Sequence, residues 1–326
     1  MPDQLKIVVA GPIPRDTIST YENDIITRYG CVTHPVIALS KLLEDNGTVV
    51  PVSNIHKKDE ENITNEFGDY KNIDLSGINT EEDRGTVIFL NFKDQNNREE
   101  KQLACMNPIR PVHIENHLDA DAFVFVPITD FEISLRTLQY IHENSKGTVI
   151  FDAHGATTAM DVTGHRHRKF WIDRDEWLPY IDVLKMNLEE SQCMWFDREY
   201  ENDIPSIYDE NHTEHLDDLA EHVLTKGVSY FYVTMDSRGC ILYQQKDGKI
   251  IKDWIASVPV AKVVDTTGCG DSFAGGLAYG FAKYKDPIKA GQYANILGAR
   301  RTQGKNWDVF KNASETEKIR EENYSS

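Results

Sequence analysis

The residues with the clearest capacity for chemistry lie in the run Asp265–Gly276, DTTGCGDSFAGG. Gly268 and Gly270 stand one residue apart, Asp271 follows, and an apolar periodic segment then predicts a helix through Ala282. A Gly-x-Gly turn that opens a helix directs several backbone N–H groups to one point, where the helix dipole is also positive. The turn therefore predicts an anion site.

Asp271 indicates what the anion site does. A carboxylate repels a bound phosphate, so a loop that only cradles phosphate should avoid one. An acid fits here if the turn stabilises charge that develops during a reaction while the acid accepts a proton from an attacking hydroxyl. We predict phosphoryl transfer to an alcohol, with Asp271 as base and Gly268, Cys269 and Gly270 as the anion hole. The alternative is that Asp271 only caps the helix.

The pattern Asp-Thr-x-Gly-x-Gly-Asp-x-Phe, from Asp265 to Phe273, resembles the second signature of the ribokinase-like (PfkB) family of sugar and nucleoside kinases. Members typically have Ala where this chain has Cys269, a position that contributes its backbone. The resemblance implies ATP with Mg²⁺ as donor and a sugar or sugar-like acceptor. It also implies a candidate site for a monovalent cation such as K⁺ at the oxygens of Asp265 and Thr267.

The charge and composition of the chain disfavour several classes of binding partner. The chain has 326 residues and a net charge of −18, which argues against nucleic acid or an anionic membrane as a general partner. No apolar run has membrane-spanning length, and the N-terminal residues lack the order of a signal peptide. The five cysteines are scattered without a Cys-x-x-Cys pair. We therefore expect a reduced, cytoplasmic protein.

The surrounding pattern alternates short apolar runs with amphipathic segments, which predicts a parallel sheet with crossover helices. We expect an α/β fold with three α/β/α layers in a single domain over residues 1–326. Ligands in such sheets bind beyond the carboxyl ends of the strands. The predicted strands are Leu5–Ala10, Ala122–Val126, Thr148–Phe151, Ile181–Met186 and Tyr230–Thr234.

A small β-sheet lid is expected from segments within about 12–30 and 49–110. Charged stretches at Lys57–Asn65 and Lys93–Lys101, which alone suggest solvated loops, separate short β-type runs there. The resemblance to the family suggests that these runs form the lid over the substrate, and such lids often pair in homodimers. The runs are Val49–Val52, Thr86–Phe92 and Leu103–Met106.

The acceptor side of the site is expected near Asp16, Gly30 and His34. Asp16 either accepts hydrogen bonds from sugar hydroxyls or is an ordinary loop acid. The segment from Tyr29 to Val36 resembles the first signature of the family, in which Gly30 matches a glycine. His34 stands where the family has Asn, and Tyr29 stands where it has Gly. These departures leave the acceptor open between ribose, fructose, a sugar acid and a nucleoside.

Asn187 and Glu190 match the Asn-x-x-Glu motif of the family, which implies that Glu190 acts on Mg²⁺ largely through water. The same spacing is that of a capping box at a helix N-terminus, and the two roles are compatible.

The nucleotide is expected beside Thr234, Arg238 and Gly239, in a segment that resembles Thr-x-Gly-x-x-Gly except that Asp236 replaces a glycine. Arg238 either pairs with phosphate or is exposed. Asn295, on a helix predicted over Pro287–Thr302, is the candidate contact to the edge of adenine that the resemblance implies.

Other patterns keep alternatives open. The basic segment His165–Lys169 suggests a rim that attracts phosphate, a solvated loop, or a metal site with His154. Departures from the family favour a catalytically silent binding protein as the second interpretation. A dinucleotide-binding dehydrogenase is disfavoured because its glycines should follow the first strand. The acid-rich residues from Phe310 onward predict a frayed tail.

Overall fold

The structure is a computed structural model that describes residues 4–19, 24–93, 98–195 and 211–324. The strands are β1 (Leu5–Ala10), β2 (Arg15–Ser19), β3 (Ile25–Tyr29), β4 (Gly47–Asn54), β5 (Ile78–Asn79), β6 (Val87–Phe92), β7 (Arg98–Ala104), β8 (Ala122–Phe125), β9 (Thr148–Asp152), β10 (Thr158–Met160), β11 (Arg166–Arg168), β12 (Val183–Asn187), β13 (Tyr230–Thr234), β14 (Gly239–Lys246) and β15 (Lys249–Ala256). The helices are α1 (Thr33–Leu43), α2 (Glu60–Phe67), α3 (Leu135–Asn144), α4 (Arg174–Trp177), α5 (Leu188–Gln192), α6 (Leu216–Thr225), α7 (Cys269–Tyr284), α8 (Pro287–Arg301) and α9 (Ala313–Tyr324).

One large sheet has the strand order β15-β14-β13-β12-β9-β8-β1-β4-β5. The strands from β5 to β13 pair in parallel, and β14 and β15 add an antiparallel hairpin at the edge. Parallel strands need cover on both faces, which explains their continuous apolar runs. The predicted α/β fold with a mostly parallel sheet is confirmed.

The side chains of β1 show how the sheet separates two helical layers. Ile7 and Val9 pack into a core with α1, α7 and α8, whereas Val8 and Ala10 pack into a second core with α3 and α6. Successive side chains of a strand point to opposite faces, so the same short run builds both cores. The three layers that the sequence predicts are present.

A separate four-stranded sheet, ordered β3-β2-β6-β7, forms the lid. The predicted lid strand at Val49–Val52 is wrong, because it belongs to β4 of the large sheet. The predicted loop at Lys57–Asn65 contains the start of α2, which buries Ile63 and Phe67. The loop at Lys93–Lys101 overlaps β7, and residues 94–97 lie outside the described residues. β4 is apolar on both faces, which suits a covered central strand better than a lid.

Glu132 connects the base of the lid sheet to the part of the chain that carries the large sheet. Its fully buried carboxylate accepts hydrogen bonds from the backbone N–H groups of Ile128 (2.6 Å) and Thr129 (3.0 Å) and from the Thr86 hydroxyl (3.2 Å). The backbone N–H of Met106 donates to the same hydroxyl at 3.1 Å. Thr86 precedes β6 and Met106 follows β7. Glu132 therefore holds one end of the β6–β7 hairpin directly and the other end through the Thr86 hydroxyl.

The expected frayed tail is instead helix α9. Its sequence is polar on most sides, and individual contacts hold it against α8. Arg320 donates to the Gln292 side chain at 3.1 Å, and the Tyr324 hydroxyl donates to the Ala256 carbonyl at 2.6 Å. All five cysteines are free thiols. Among the described residues, none of the helices combines the length and apolar character needed to cross a membrane.

Candidate active site

The glycine turn lies where the sequence places it, at the start of α7. Gly268 precedes the helix with φ 78°, a left-handed conformation that favours glycine. A Cβ atom at Gly268 would stand 2.3 Å from Cδ2 of His34. The turn and the predicted acceptor residue His34 are therefore in direct contact, although they are far apart in the chain.

Gly268→Ala is expected to lower both stability and activity. The left-handed backbone costs an L-residue roughly 1–2 kcal/mol, and the added methyl group would also displace the His34 ring. Urea unfolding and steady-state rates measure the two effects. Gly248→Ala is the matched control, because Gly248 also has a left-handed φ of 74° but would meet no atom within 4 Å. Equal losses in both variants would show that contact with His34 is unimportant.

Asp271 lies in the first turn of α7, and its carboxylate is 3.9 Å from the Cys31 thiol. Burial raises the pKa of Asp271 to about 6, the nearby Asp152 carboxylate adds to the shift, and Lys185 and His154 oppose it. A general base works best when its pKa is close to the operating pH. The raised pKa of Asp271 therefore agrees with the predicted role as a base.

Lys185 is a site residue that the sequence analysis missed. Its ammonium group donates to the Asp152 carboxylate at 2.7 Å and lies 3.1 Å from the position of a Cβ atom at Gly270. Burial would lower the Lys185 pKa, but the carboxylates of Asp152 and Glu190 raise it above its usual value. A charged lysine thus stands beside the anion hole. The available signal was a lysine inside an otherwise apolar strand, VLKMN.

Asn187 and Glu190 form the capping box of α5. The Asn187 side chain accepts from the Glu190 backbone N–H at 2.7 Å, and the Glu190 carboxylate accepts from the Asn187 backbone N–H at 2.8 Å. The carboxylate is 2.9 Å from Nδ1 of His154, and Arg168 donates to it at 3.3 Å. These groups surround both oxygens, so direct coordination of Mg²⁺ by Glu190 does not fit. Only a role through water agrees with this donor set.

The basic segment around His165–Lys169 is neutralised by acids from elsewhere in the chain. Arg168 pairs with Glu189 and Glu190, while Arg166 pairs with Glu100 of the lid. Of the three alternatives for this segment, the phosphate-attracting rim therefore loses its support. The residues that the structure describes contain no cluster of His, Cys, Asp and Glu suited to a metal ion, and His167 lies instead 3.0 Å from Asp161.

The predicted acceptor residues Asp16, Gly30 and His34 come together under the lid. A Cβ atom at Gly30 would lie 3.0 Å from the Asp16 carboxylate and 3.8 Å from Nε2 of His34. All three line a cavity of about 1120 Å³ between the lid sheet and the loops at residues 263–267 and 305–307. The aromatic rings of Tyr29 and Trp307 also line this cavity. The cavity has room and polar groups for a small polyol.

Tyr29, which replaces a family glycine, has a structural role as well. Its hydroxyl donates to the Asp59 carboxylate at 3.1 Å, and Arg15 donates to both oxygens of Asp59 at 3.0 Å. Asp59 is buried at the start of α2. The Tyr29 side chain, which the family pattern lacks, therefore connects the lid strands to the start of α2.

On the donor side, β13 ends at Thr234, which pairs in register with Asn187 of β12. Gly239 has φ 109°, and a Cβ atom there would lie 2.1 Å from the Ile255 carbonyl oxygen, so a glycine is required. Asp236 adopts φ 50°, which explains why a glycine is usual at its position. Arg238 is exposed, and its Nε donates to the Met235 carbonyl at 3.3 Å.

Asn295 is buried, and its side-chain amide is already engaged. It donates to the carbonyls of Ile255 at 3.0 Å and Ala256 at 3.1 Å. The Tyr324 hydroxyl donates to the same Ala256 carbonyl. The edge that the sequence assigns to adenine therefore has its hydrogen bonds satisfied within the protein.

Asp265 and Thr267, the candidate monovalent-cation residues, lie beside the turn. The Thr267 backbone N–H donates to the Asp265 carboxylate at 2.9 Å. The other carboxylate oxygen is 3.5 Å from Arg301 and 3.7 Å from Arg28. Two guanidinium groups thus stand at the oxygen that a cation would need, so these residues do not fit a K⁺ site.

A lidded α/β sheet with this turn at a helix start defines a protein of the ribokinase-like fold, and solved structures agree. Ribokinase of Arabidopsis thaliana, solved with ribose and ATP, matches with a TM-score of 0.74 at 16% identity, covering 97% of this chain and 98% of that one. A pyrophosphate-dependent kinase in the ribokinase family, solved with sulfate, matches with a TM-score of 0.71 at 15% identity, covering 93% and 98%. Aminoimidazole riboside kinase from Salmonella enterica matches with a TM-score of 0.69 at 16% identity, covering 96% and 98%.

The family follows from the sequence match. The model of the pfkB family carbohydrate kinases matches residues 69–307, more than half of the chain, so the chain belongs to that family. An uncharacterized sugar kinase from Archaeoglobus fulgidus is 35% identical over 82 residues, which is 25% of this chain and 30% of that protein. The prediction of a PfkB family carbohydrate kinase is confirmed. Among the similar solved structures, one was solved with ATP and another is a pyrophosphate-dependent kinase.

Proposed function

We propose that this protein transfers the terminal phosphoryl group of ATP, bound with Mg²⁺, to a hydroxyl of a sugar or sugar-like alcohol. The observation that carries the proposal is the position of Asp271. It is a partly buried acid with a raised pKa, it directly follows the glycine pair at the start of α7, and Lys185 lies beside that pair. Phosphoryl transfer needs little more from a protein than positioning and stabilisation of charge.

Each site group then has a role in the transfer. Asp271 accepts the proton of the acceptor hydroxyl as the new O–P bond forms and the bond to the leaving phosphate oxygen breaks. The backbone N–H groups of Gly268 and Gly270 stabilise charge on the transferred group, and Lys185 supports them through its ammonium group. The Cys269 N–H, which the sequence also assigned to the anion hole, already donates to the Thr266 carbonyl at 3.2 Å. Mg²⁺ would add neutralisation of phosphate charge, with Glu190 acting through water.

Asp16 and His34 are proposed to hold the acceptor. The Arg301 guanidinium donates to Nδ1 of His34 at 3.0 Å, so the ring proton of a neutral His34 is on Nε2. Nε2 is the ring nitrogen nearer Gly30 and the Asp16 carboxylate. A hydrogen-bond donor and an acceptor thus stand together, which suits a pair of sugar hydroxyls. A nucleoside is the alternative acceptor because the cavity is large and partly aromatic.

The second candidate function uses a phosphoryl donor that has no nucleobase, such as pyrophosphate, and a specific observation favours it. Asn295 and Tyr324 both bond to the Ala256 carbonyl, so the edge assigned to adenine is closed by the protein itself. One of the similar solved structures is a pyrophosphate-dependent kinase. If pyrophosphate is the donor, phosphate release should occur with pyrophosphate and not with ATP. If ATP is the donor, the Tyr324→Ala variant should have a KM for ATP that is equal to or lower than that of the wild type.

The test is a screen of acceptors against both donors, with phosphorylated product detected by mass spectrometry. Ribose, fructose, a sugar acid and a nucleoside cover the open acceptor classes. Product from any of them would support the kinase proposal and identify the acceptor class. No product from any pair would favour the catalytically silent binding protein.

The pH dependence gives a further prediction. The carboxylate form of Asp271 is the active one, so kcat/KM should rise with pH and level off above about 6, the Asp271 pKa. The ascending limb should have the slope of one proton. A rate that is flat between pH 5 and 8 would contradict Asp271 as the base. Measurement in buffers of equal ionic strength separates this limb from screening effects.

We also propose a homodimer that forms through the lid. Ile25 in β3 is 75% exposed and Leu103 in β7 is 63% exposed, which is unusual for apolar residues on the two edge strands of a small sheet. Light scattering coupled to size-exclusion chromatography should give twice the chain mass of 37.2 kDa. Ile25→Lys should return it to the monomer value, and a monomeric wild type would contradict the proposal.

A further inference from the structure

Arg301, the last residue of α8, connects two parts of the site from a buried position, with only 2% of the residue exposed. Its Nε donates to Nδ1 of His34 at 3.0 Å, and its Nη2 is 3.5 Å from the Asp265 carboxylate. Its Nη1 donates to the Gly304 carbonyl, and the guanidinium lies 5.9 Å from the centre of the Trp307 ring. These contacts hold the group in one place.

The charges around Asp265 leave no role for another cation. Burial alone would raise the pKa of Asp265, but hydrogen bonds from Thr267 and the charges of Arg301 and Arg28 hold it below its usual value. The carboxylate is thus ionised and already faces two positive groups within 4 Å of one oxygen. A bound K⁺ would add a third positive charge there, which these groups would repel.

His34 carries the effect of Arg301 to the glycine turn. Burial lowers the pKa of His34 to about 3, and the positive charge of Arg301 adds to this effect. The ring is therefore neutral at any working pH, and it packs directly against Gly268. Arg301 touches His34 on one side and Asp265 on the other, so both flanks of the turn are held by one guanidinium.

We propose that the Arg301 guanidinium takes the place of a monovalent cation in this protein, so that neither K⁺ binding at Asp265 nor K⁺ activation occurs. Arg301 is then a positioning residue, which acts on the anion hole through Asp265 and His34. The statement on activation rests on the proposed kinase function, whereas the statement on binding stands independently.

The binding test uses the wild-type protein without substrates. Thermal unfolding is compared in KCl, NaCl and tetramethylammonium chloride at equal ionic strength, and crystals soaked in RbCl are examined by anomalous scattering. We expect equal Tm values within about 1 °C and no rubidium at Asp265. A rise in Tm specific to K⁺, or a rubidium peak at the Asp265 oxygens, would overturn the proposal.

The activation test compares rates in the same three salts with the acceptor found by the screen. Rates within twofold of each other are expected, and activation by K⁺ of more than about threefold would overturn the inference. If no acceptor is phosphorylated, the kinase proposal has failed, while the unfolding and scattering results still decide the question of K⁺ binding.

Variants test the positioning role. Arg301→Met keeps the length of the side chain without its charge, and we expect at least a tenfold loss of kcat with partial rescue by guanidinium chloride. Arg300→Met is the matched control on the adjacent residue and should behave like the wild type. If Arg301→Met does not fold, Arg301→Gln, which also removes the charge, replaces it with the same expected loss and rescue. Wild-type kcat in the folded variant, or a loss that guanidinium does not relieve, would contradict the role.

Discussion

Asp271→Asn is expected to lower kcat by about 10³-fold, within the range known for loss of a general base, while donor affinity changes little. The substitution keeps the shape of the side chain but removes its ability to accept the hydroxyl proton. Rapid-quench rates and calorimetric titration with the donor measure the two quantities. Turnover above a tenth of the wild-type rate would exclude Asp271 as the base.

The same substitution should stabilise the protein above neutral pH. The folded-state pKa of Asp271 is about 6, above the ordinary 3.8, so its contribution to stability is present at low pH and is lost as pH rises through 6. At pH 8 the ionised, partly buried carboxylate is a cost that Asn lacks, so the free energy of unfolding of the variant should be higher. Asp247→Asn, in the exposed turn between β14 and β15, is the isosteric control and should change neither quantity.

Lys185→Met should reduce both stability and rate. It leaves the buried Asp152 without its cationic partner, which costs about 3–5 kcal/mol for broken buried pairs. It also removes the positive charge beside Gly270, and the loss of one such stabilising group lowers kcat by about 10²-fold. Urea unfolding and single-turnover rates give the two values.

A double variant separates the two roles of Lys185. Lys185→Met with Asp152→Asn removes the unpaired charge, so most of the stability should return while kcat stays low. If the rate returns together with the stability, Lys185 is only a structural partner of Asp152. The comparison is informative because a purely structural lysine would not limit the rate of a folded enzyme.

Several features could be predicted because neighbouring residues determine them. The turn needs a left-handed backbone at Gly268 and a helix that begins at the next residue, and both requirements can be recognised from adjacent residues. The capping box at Asn187 and Glu190 is equally local. The parallel arrangement of the central strands could also be predicted, since apolar runs joined by short connections favour a parallel sheet.

Other predictions failed because local patterns do not reveal partners. The apolar run at Val49–Val52 suits a lid strand or a central strand equally well, and only its position between β1 and β5 shows which it is. The cations of residues 165–169 left a phosphate-binding rim open as one of three alternatives, and acids distant in sequence neutralise them. The tail after Phe310 is polar, yet contacts with α8 keep it helical.

The sequence alone determined the family, because its second signature runs through consecutive residues from Asp265 to Phe273, and the proposed base and anion hole lie within four of them. Only the tertiary structure decided what surrounds them. Lys185 in β12 lies beside Gly270 at the start of α7, and Arg301 reaches His34, 267 positions away in the chain. Charge interactions depend on distance in space. The pKa of Asp271 and the ion pair between Arg301 and Asp265 could therefore be derived only from the tertiary structure.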